Sequence, residues 1–164
     1  MHLTATYDVR ATLRWASGRL TVRSRMHVRN TSGGPIVRLE LNAIPARIGD
    51  MVLTETTVDG ARVNGRIKGQ TIHVPLGGPL QAGQSVDVVV SYRAWFASGT
   101  GGHLFLFSKA NGIRSAYRWI PWVSRATRYE TDWHGDPFVT VISPHVRVDL
   151  GGDVPLRFAT TGRL

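Results

Sequence analysis

A zinc peptidase needs two imidazoles on one helical face with a carboxylate between them, the His-Glu-x-x-His spacing. The six histidines here are His2, His27, His73, His103, His134 and His145, and none stands four residues from another. His134 with Asp136, and His145 with Asp149, supply two potential ligands each and no third. No Gly-x-Ser-x-Gly elbow is present to expose a nucleophilic serine. Cysteine is absent, which removes thiolate nucleophiles, disulfides and cysteine-held metal centres together. The glycine-rich stretch at Ser98–Gly102 is followed by no Gly-Lys-Ser/Thr and opens no helix. It reads as a hairpin loop, not as a phosphate cradle.

One segment concentrates reactive and adhesive side chains. Glu130, Asp132 and Asp136 lie near Tyr129, Trp133 and His134. Paired carboxylates can do acid–base work, but Asp136-Pro137 is also a turn start, and the aromatics then cover the edge of a core. Trp119, Trp122 and Trp133 join Tyr117 and Tyr129, interleaved with Arg114, Arg118, Arg125 and Arg128. Aromatics with arginine are the types enriched at protein interfaces. They also suit sugars or unstacked bases. Trp119, Trp122, Arg125, Tyr129 and Trp133 are the candidate interface residues.

The chain that must hold this segment has 164 residues, a length that suits one domain spanning residues 1–164 with a core of its own. Its apolar fraction of 42% and charged fraction of 19% are those of a folded protein. The net charge of +9 comes almost wholly from arginine, with only Lys68 and Lys109 as lysines. Such a balance favours nucleic-acid or anionic-surface binding. The charge is spread with no basic run, which fits a solvated arginine-rich strand face, and nucleic acid is not the expected partner. No stretch reaches the roughly 18 uninterrupted apolar residues of a membrane span. The N-terminus shows no signal-peptide pattern. Met1 directly before a strand suggests a trimmed start, and the compartment is left open.

The periodicity is that of strands. Leu3, Ala5, Tyr7, Val9, Ala11, Leu13 and Trp15 alternate with polar residues, the mark of a long half-buried strand. Ser17-Gly18 supplies a turn, and Leu20, Val22, Met26 and Val28 continue the apolar face. The two strands form a hairpin with one core face and one arginine face. Further strands are expected over Ile36–Leu41, with Val37 in phase with Leu39 and Leu41, and over Val52–Val58, Thr71–Leu76 and Ser85–Tyr92. A hairpin over Leu104–Trp119, strand in Pro137–Leu150 and a last strand over Leu156–Thr161 complete the set. Asp59-Gly60, Asn64-Gly65 and Asn111-Gly112 are tight-turn dipeptides. Ala43–Asp50 reads as irregular, and Ser124–Tyr129 could form one helical turn. The pattern predicts an all-β fold, an antiparallel β-sandwich of saddle-like curved sheets.

The order of segments carries a resemblance. Val58-Asp59-Gly60-Ala61-Arg62-Val63 is followed by Gln70–Leu76, Pro79-Leu80-Gln81-Ala82-Gly83-Gln84 and Val88–Tyr92. Upstream stand Arg29-Asn30-Thr31-Ser32 and Leu39-Glu40-Leu41-Asn42. Downstream come Trp119-Ile120-Pro121-Trp122, Asp136-Pro137-Phe138 and Ala159-Thr160-Thr161-Gly162. Taken in order, these resemble the N-terminal β domain of aminopeptidase-N-like zinc metallopeptidases over nearly the whole chain. The resemblance implies a saddle-like, non-catalytic domain that packs on a zinc-bearing catalytic domain of the same parent chain and helps wall its substrate site. Zinc would then belong to that missing domain, and this chain would hold no cofactor. The family's substrate-contacting glutamine has no counterpart in Tyr117–Trp122, so that role is not carried over. A divergent, inactive parent fits this departure. Two other readings stand beside it: an autonomous module that binds carbohydrate or protein through the Trp119–Trp133 aromatics, and a basic nucleic-acid binder.

Overall fold

The structure is a computed structural model that describes residues 3–124, 143, 145–160 and 163. The alternation in the first thirty residues produces two twelve-residue strands, β1 (Leu3–Arg14) and β2 (Arg19–Asn30), paired from Leu3↔Asn30 to Arg14↔Arg19. Every apolar residue of the inward row, from Leu3 to Leu13 and from Leu20 to Val28, is buried. Strand side chains alternate between faces, so the same pairing sends the arginines outward: Arg10 and Arg14 from β1, and Arg19, Arg23, Arg25 and Arg29 from β2.

The remaining elements follow as β3 (Ile36–Asn42), a one-turn helix α1 (Pro45–Ile48), β4 (Val52–Val58), β5 (Ala61–Arg62), β6 (Arg66–Lys68) and β7 (Thr71–Leu80). After them come β8 (Ser85–Trp95), β9 (Ala97–Ser98), a 3-10 turn (Leu104–Leu106), β10 (Phe107–Ala110), β11 (Ile113–Ala116), β12 (Trp122–Val123) and β13 (Val146–Gly152). A six-stranded sheet runs β13-β1-β2-β8-β4-β5, and a four-stranded sheet runs β12-β3-β7-β6. The valine-rich β8 is central in the larger sheet. The inward residues of both sheets, such as Val9, Val90 and Tyr92 from the first and Leu39, Leu41, Ile72 and Val74 from the second, form one buried cluster. The fold is all-β and sandwich-like, with sheets that do not close into a barrel. Most pairings are antiparallel, while β13 joins β1 in parallel. A small third sheet, β11-β10-β9, seats Phe107 in the core, stacked on Phe96 at 4.1 Å.

Several local expectations are corrected. Val37 is exposed, not in phase with Leu39 and Leu41. Ile36 pairs with Leu80 and Arg38 with Pro75, so one residue of β3 faces four of β7. The bulge resets the phase, and β7 runs on through Gly77-Gly78-Pro79, past the expected strand end at Leu76. Asn64-Gly65 joins no hairpin, because β5 pairs with β4 and β6 with β7. The dipeptide instead carries the chain from one sheet to the other, with Gly65 so near Thr56 that a Cβ would lie 2.6 Å from its hydroxyl. Ala43–Asp50 contains α1, with Pro45 at its start. Beyond it Gly49 leaves no room for a side chain, since a Cβ would stand 2.9 Å from the Phe107 ring. Residues 155–160 form no strand. The strand expected in Pro137–Leu150 is observed from Val146, and its residues 137–142 and 144 lie outside the described residues.

Buried Asn30 locks the corner where β2, β3 and β7 meet. Its Nδ2 donates to the carbonyls of Gly34 and Leu80, both at 2.9 Å, and its Oδ1 accepts from the Ser32 backbone at 3.0 Å. Replacing it removes the donor to the Leu80 carbonyl, while Gly34 O keeps the Ser32 hydroxyl at 2.9 Å, and an unpaired buried polar group costs about 1–3 kcal/mol. Asn30→Ala should therefore lose about 1–3 kcal/mol of unfolding free energy, read from the urea midpoint at unchanged m-value. A loss under about 0.5 kcal/mol, the range of ordinary surface changes, would contradict this role.

Candidate docking surface

The segment leading into the aromatic stretch is fixed to the core at four backbone points. Arg118 O accepts from Ile44 N at 3.1 Å, and Ser124 N donates to Glu40 O at 2.8 Å. Between them, the Tyr92 hydroxyl donates to Trp119 O, and Val123 N donates to the Tyr7 hydroxyl at 2.9 Å. β12 itself pairs with β3, as Trp122↔Asn42 and Val123↔Leu41. Two tyrosines of the larger sheet thus reach across the core and hold the edge of the smaller one. Each has an apolar ring that fills the interior and a polar tip that satisfies a backbone group there.

Trp119 and Trp122 are half-buried and pack against the core. The Trp122 ring meets Tyr7 edge-on, with centroids 4.9 Å apart. Both indoles are therefore partly committed to the interior. Arg125, Tyr129 and Trp133 lie outside the described residues, as do Glu130, Asp132, His134 and Asp136. The helical turn expected over Ser124–Tyr129 falls there too, apart from Ser124.

The structure adds two residues that the sequence reading did not single out, Phe105 (51% exposed) and Ile113 (67%), which stand with Tyr117 (45%) around the β10–β11 hairpin. The hairpin leads directly into the anchored segment, through a Tyr117 N to Leu106 O bond of 2.7 Å. The signal for them was weak, because a single exposed apolar residue in a turn is ordinary.

Chemistry of other kinds finds little support. Among the described residues no group of three or more His, Asp or Glu could hold a metal ion. His145 and Asp149 are four residues apart on extended chain, roughly 13 Å, too far to share one ion. Glu40 is buried on β3, with Arg38 at 3.0 Å and His73 at 3.6 Å. Among the described residues this is an ion-paired cluster with no nucleophile or third ligand beside it. The Ser98–Gly102 stretch is a loop that begins as β9 ends and precedes the 3-10 turn, with no helix N-terminus to receive phosphate. No helix among the described residues is long and apolar enough to cross a membrane.

Comparison with known proteins shows the fold. No family model matches the sequence, and no curated protein matches it. Among solved structures, a two-domain M1 zinc metallopeptidase variant bound to L-tryptophan aligns at TM-score 0.55 and 20% identity, over 73% of this chain and 29% of its own. The M1 zinc metallopeptidase from Deinococcus radiodurans aligns at TM-score 0.54 and 18% identity, over 91% of this chain and 32% of its own. A variant of the Deinococcus radiodurans enzyme bound to a Tyr-Ser-Ala substrate aligns at TM-score 0.53 and 20% identity, over 91% and 33%. The chain spans about a third of the length of the structures it matches.

Burial pushes the Tyr7 hydroxyl up to about 12, against lowering contributions from its bonds to Val123 and Ser143, and burial raises Tyr92 well above the usual tyrosine range. A group whose folded pKa is raised contributes stability that is whole below its unfolded value and lost as pH climbs to the folded one. Unfolding free energy should therefore decline from about pH 10, and the Tyr7 share amounts to about 2 kcal/mol by pH 12. Tyr7→Phe should cost about 1–3 kcal/mol at neutral pH by stranding Val123 N–H, and it should flatten the alkaline decline. An alkaline limb with the same slope in the variant would show that Tyr7 is not its source.

Proposed function

We propose that this chain is a non-catalytic accessory β domain of an M1-like zinc metallopeptidase. In this reading residues 1–164 form one domain that packs on a zinc-bearing catalytic domain elsewhere in the parent protein and helps wall its substrate site. The supporting observation is that the fold of M1 zinc metallopeptidases aligns with 91% of this chain while the chain accounts for only about a third of the aligned protein. Among the described residues this chain offers no metal-holding group, so zinc would reside in the partner. The docking surface is Trp119, Trp122, Arg125, Tyr129 and Trp133, flanked by Ile113 and Tyr117 of the neighbouring hairpin. A docking loop is effective when a rigid scaffold fixes its root, and the four backbone bonds from Arg118 to Ser124 provide that scaffold.

The second reading, an autonomous sugar- or protein-binding module, needs aromatic faces free for a ligand. The packing of Trp119 and Trp122 on the core speaks against a sugar platform at those two positions.

The test is to produce this chain and the segment that follows it in the parent gene as two polypeptides, and to measure their co-purification. Ile113→Asp combined with Arg125→Asp should abolish the complex with little change in melting temperature. Trp122→Ala should weaken both the complex and the fold, because its ring packs on Tyr7. An undiminished complex in the double variant would place the docking surface elsewhere, and no complex with wild type would defeat the accessory-domain reading.

A further inference from the structure

In the six-stranded sheet the residues paired in register share a face, and the row opposite the core is dominated by arginine. Arg10 stands directly opposite Arg23, and Arg14 opposite Arg19. Like charges at opposed positions destabilise a strand pair, so the hairpin carries a repulsion that a bound polyanion would relieve. The carboxylates of this face are fewer and partly engaged. Glu55 pairs with Arg23, and Asp87 with His27 at 2.8 Å. Asp8 lies opposite Arg25 and Arg147, and Asp149 opposite Arg10, toward the β13 edge. Arg25, Arg29 and Arg93 are exposed and make no ion pair among the described residues.

Two apolar side chains stand at one end of the same face. Trp95 is opposite Arg19 and 36% exposed, and Val52 is opposite Arg93 and 54% exposed. The four strands β1, β2, β8 and β4 present a surface roughly 15 Å across and 35 Å along. That is too broad to enter a nucleic-acid groove. It also carries one indole at a corner, where a single-strand binder needs aromatics along its path. A broad cationic face with an indole and an aliphatic group at one end matches an anionic headgroup layer, into which tryptophan inserts at the polar boundary.

We propose that this outer face docks on an anionic lipid surface, with Arg25, Arg29 and Arg93 facing the headgroups and Trp95 and Val52 seated at the boundary. The inference does not depend on the peptidase reading, since the face lies on the other side of the sheet from the core and from the anchored segment.

The test is co-sedimentation of the chain with vesicles of mixed phosphatidylglycerol and phosphatidylcholine, and with phosphatidylcholine alone, at about 0.1 M and about 1 M salt, where the screening length falls from about 10 to about 3 Å. The chain should sediment with the anionic vesicles at the lower salt only. Arg25→Glu with Arg29→Glu should lower partitioning more than about tenfold. Arg66→Glu with Lys68→Glu, the same charge change on the smaller sheet, should alter it less than about twofold. Arg25→Gln with Arg29→Gln serves as the milder variant if the reversal lowers the melting temperature. Absence of sedimentation with anionic vesicles, or equal losses in the two reversals, would overturn the proposal. So would tighter binding to duplex or single-stranded DNA than to vesicles at the same salt, which would assign the face to nucleic acid.

Discussion

The fold depends on covering the inward row of the β1–β2 hairpin. Ten apolar or aromatic side chains project from one side of two twelve-residue strands, and each large one left in water would forfeit about 1.5–3 kcal/mol. A two-stranded ribbon cannot cover itself. β8 and β4 widen the sheet, and β3 and β7 supply the second layer whose Leu39, Leu41, Ile72 and Val74 complete the interior. The polar groups caught between the layers must then be paired. Tyr7 and Tyr92 answer that need by reaching the backbone of Val123 and Trp119, which makes the layer contact also the anchor of the aromatic segment.

The consequence for function is mechanical. Residues 118–124 are held by bonds to both sheets, and their backbone is therefore fixed to the core. Association costs less when the interface is ordered beforehand. A domain of this kind contributes shape and position to a neighbour, which is the role proposed for it beside a zinc-bearing partner. The opposite side of the larger sheet is built on different terms, with solvated arginines that leave it strongly cationic.

Much of this was legible because strands declare themselves by alternation. The inward row of β1 and β2 was readable residue by residue, and Asp59-Gly60 and Asn111-Gly112 are hairpin turns with positive φ at both positions, 48° and 82°, then 49° and 74°. Pairing between distant strands was not legible. Asn64-Gly65 has the same local preference, but its flanking strands find partners in different sheets, a matter decided by the shared core. The phase of Val37 was lost for a similar reason, since the bulge that resets it lies partly in β7. Residues 155–160 have strand-like alternation yet form no strand, although Leu156 packs against the core. At the proposed docking surface, the concentration of aromatics was visible from residue types. The partial burial of Trp119 and Trp122 was not, because it follows from tyrosines more than twenty residues away in sequence.

The most direct measurement is to read the parent gene in frame beyond the codon for Leu164. The account predicts a further coding stretch about twice the length of this chain, carrying His-Glu-x-x-His with a glutamate downstream. A frame that ends close to Leu164, or one that continues without the zinc motif, would contradict it.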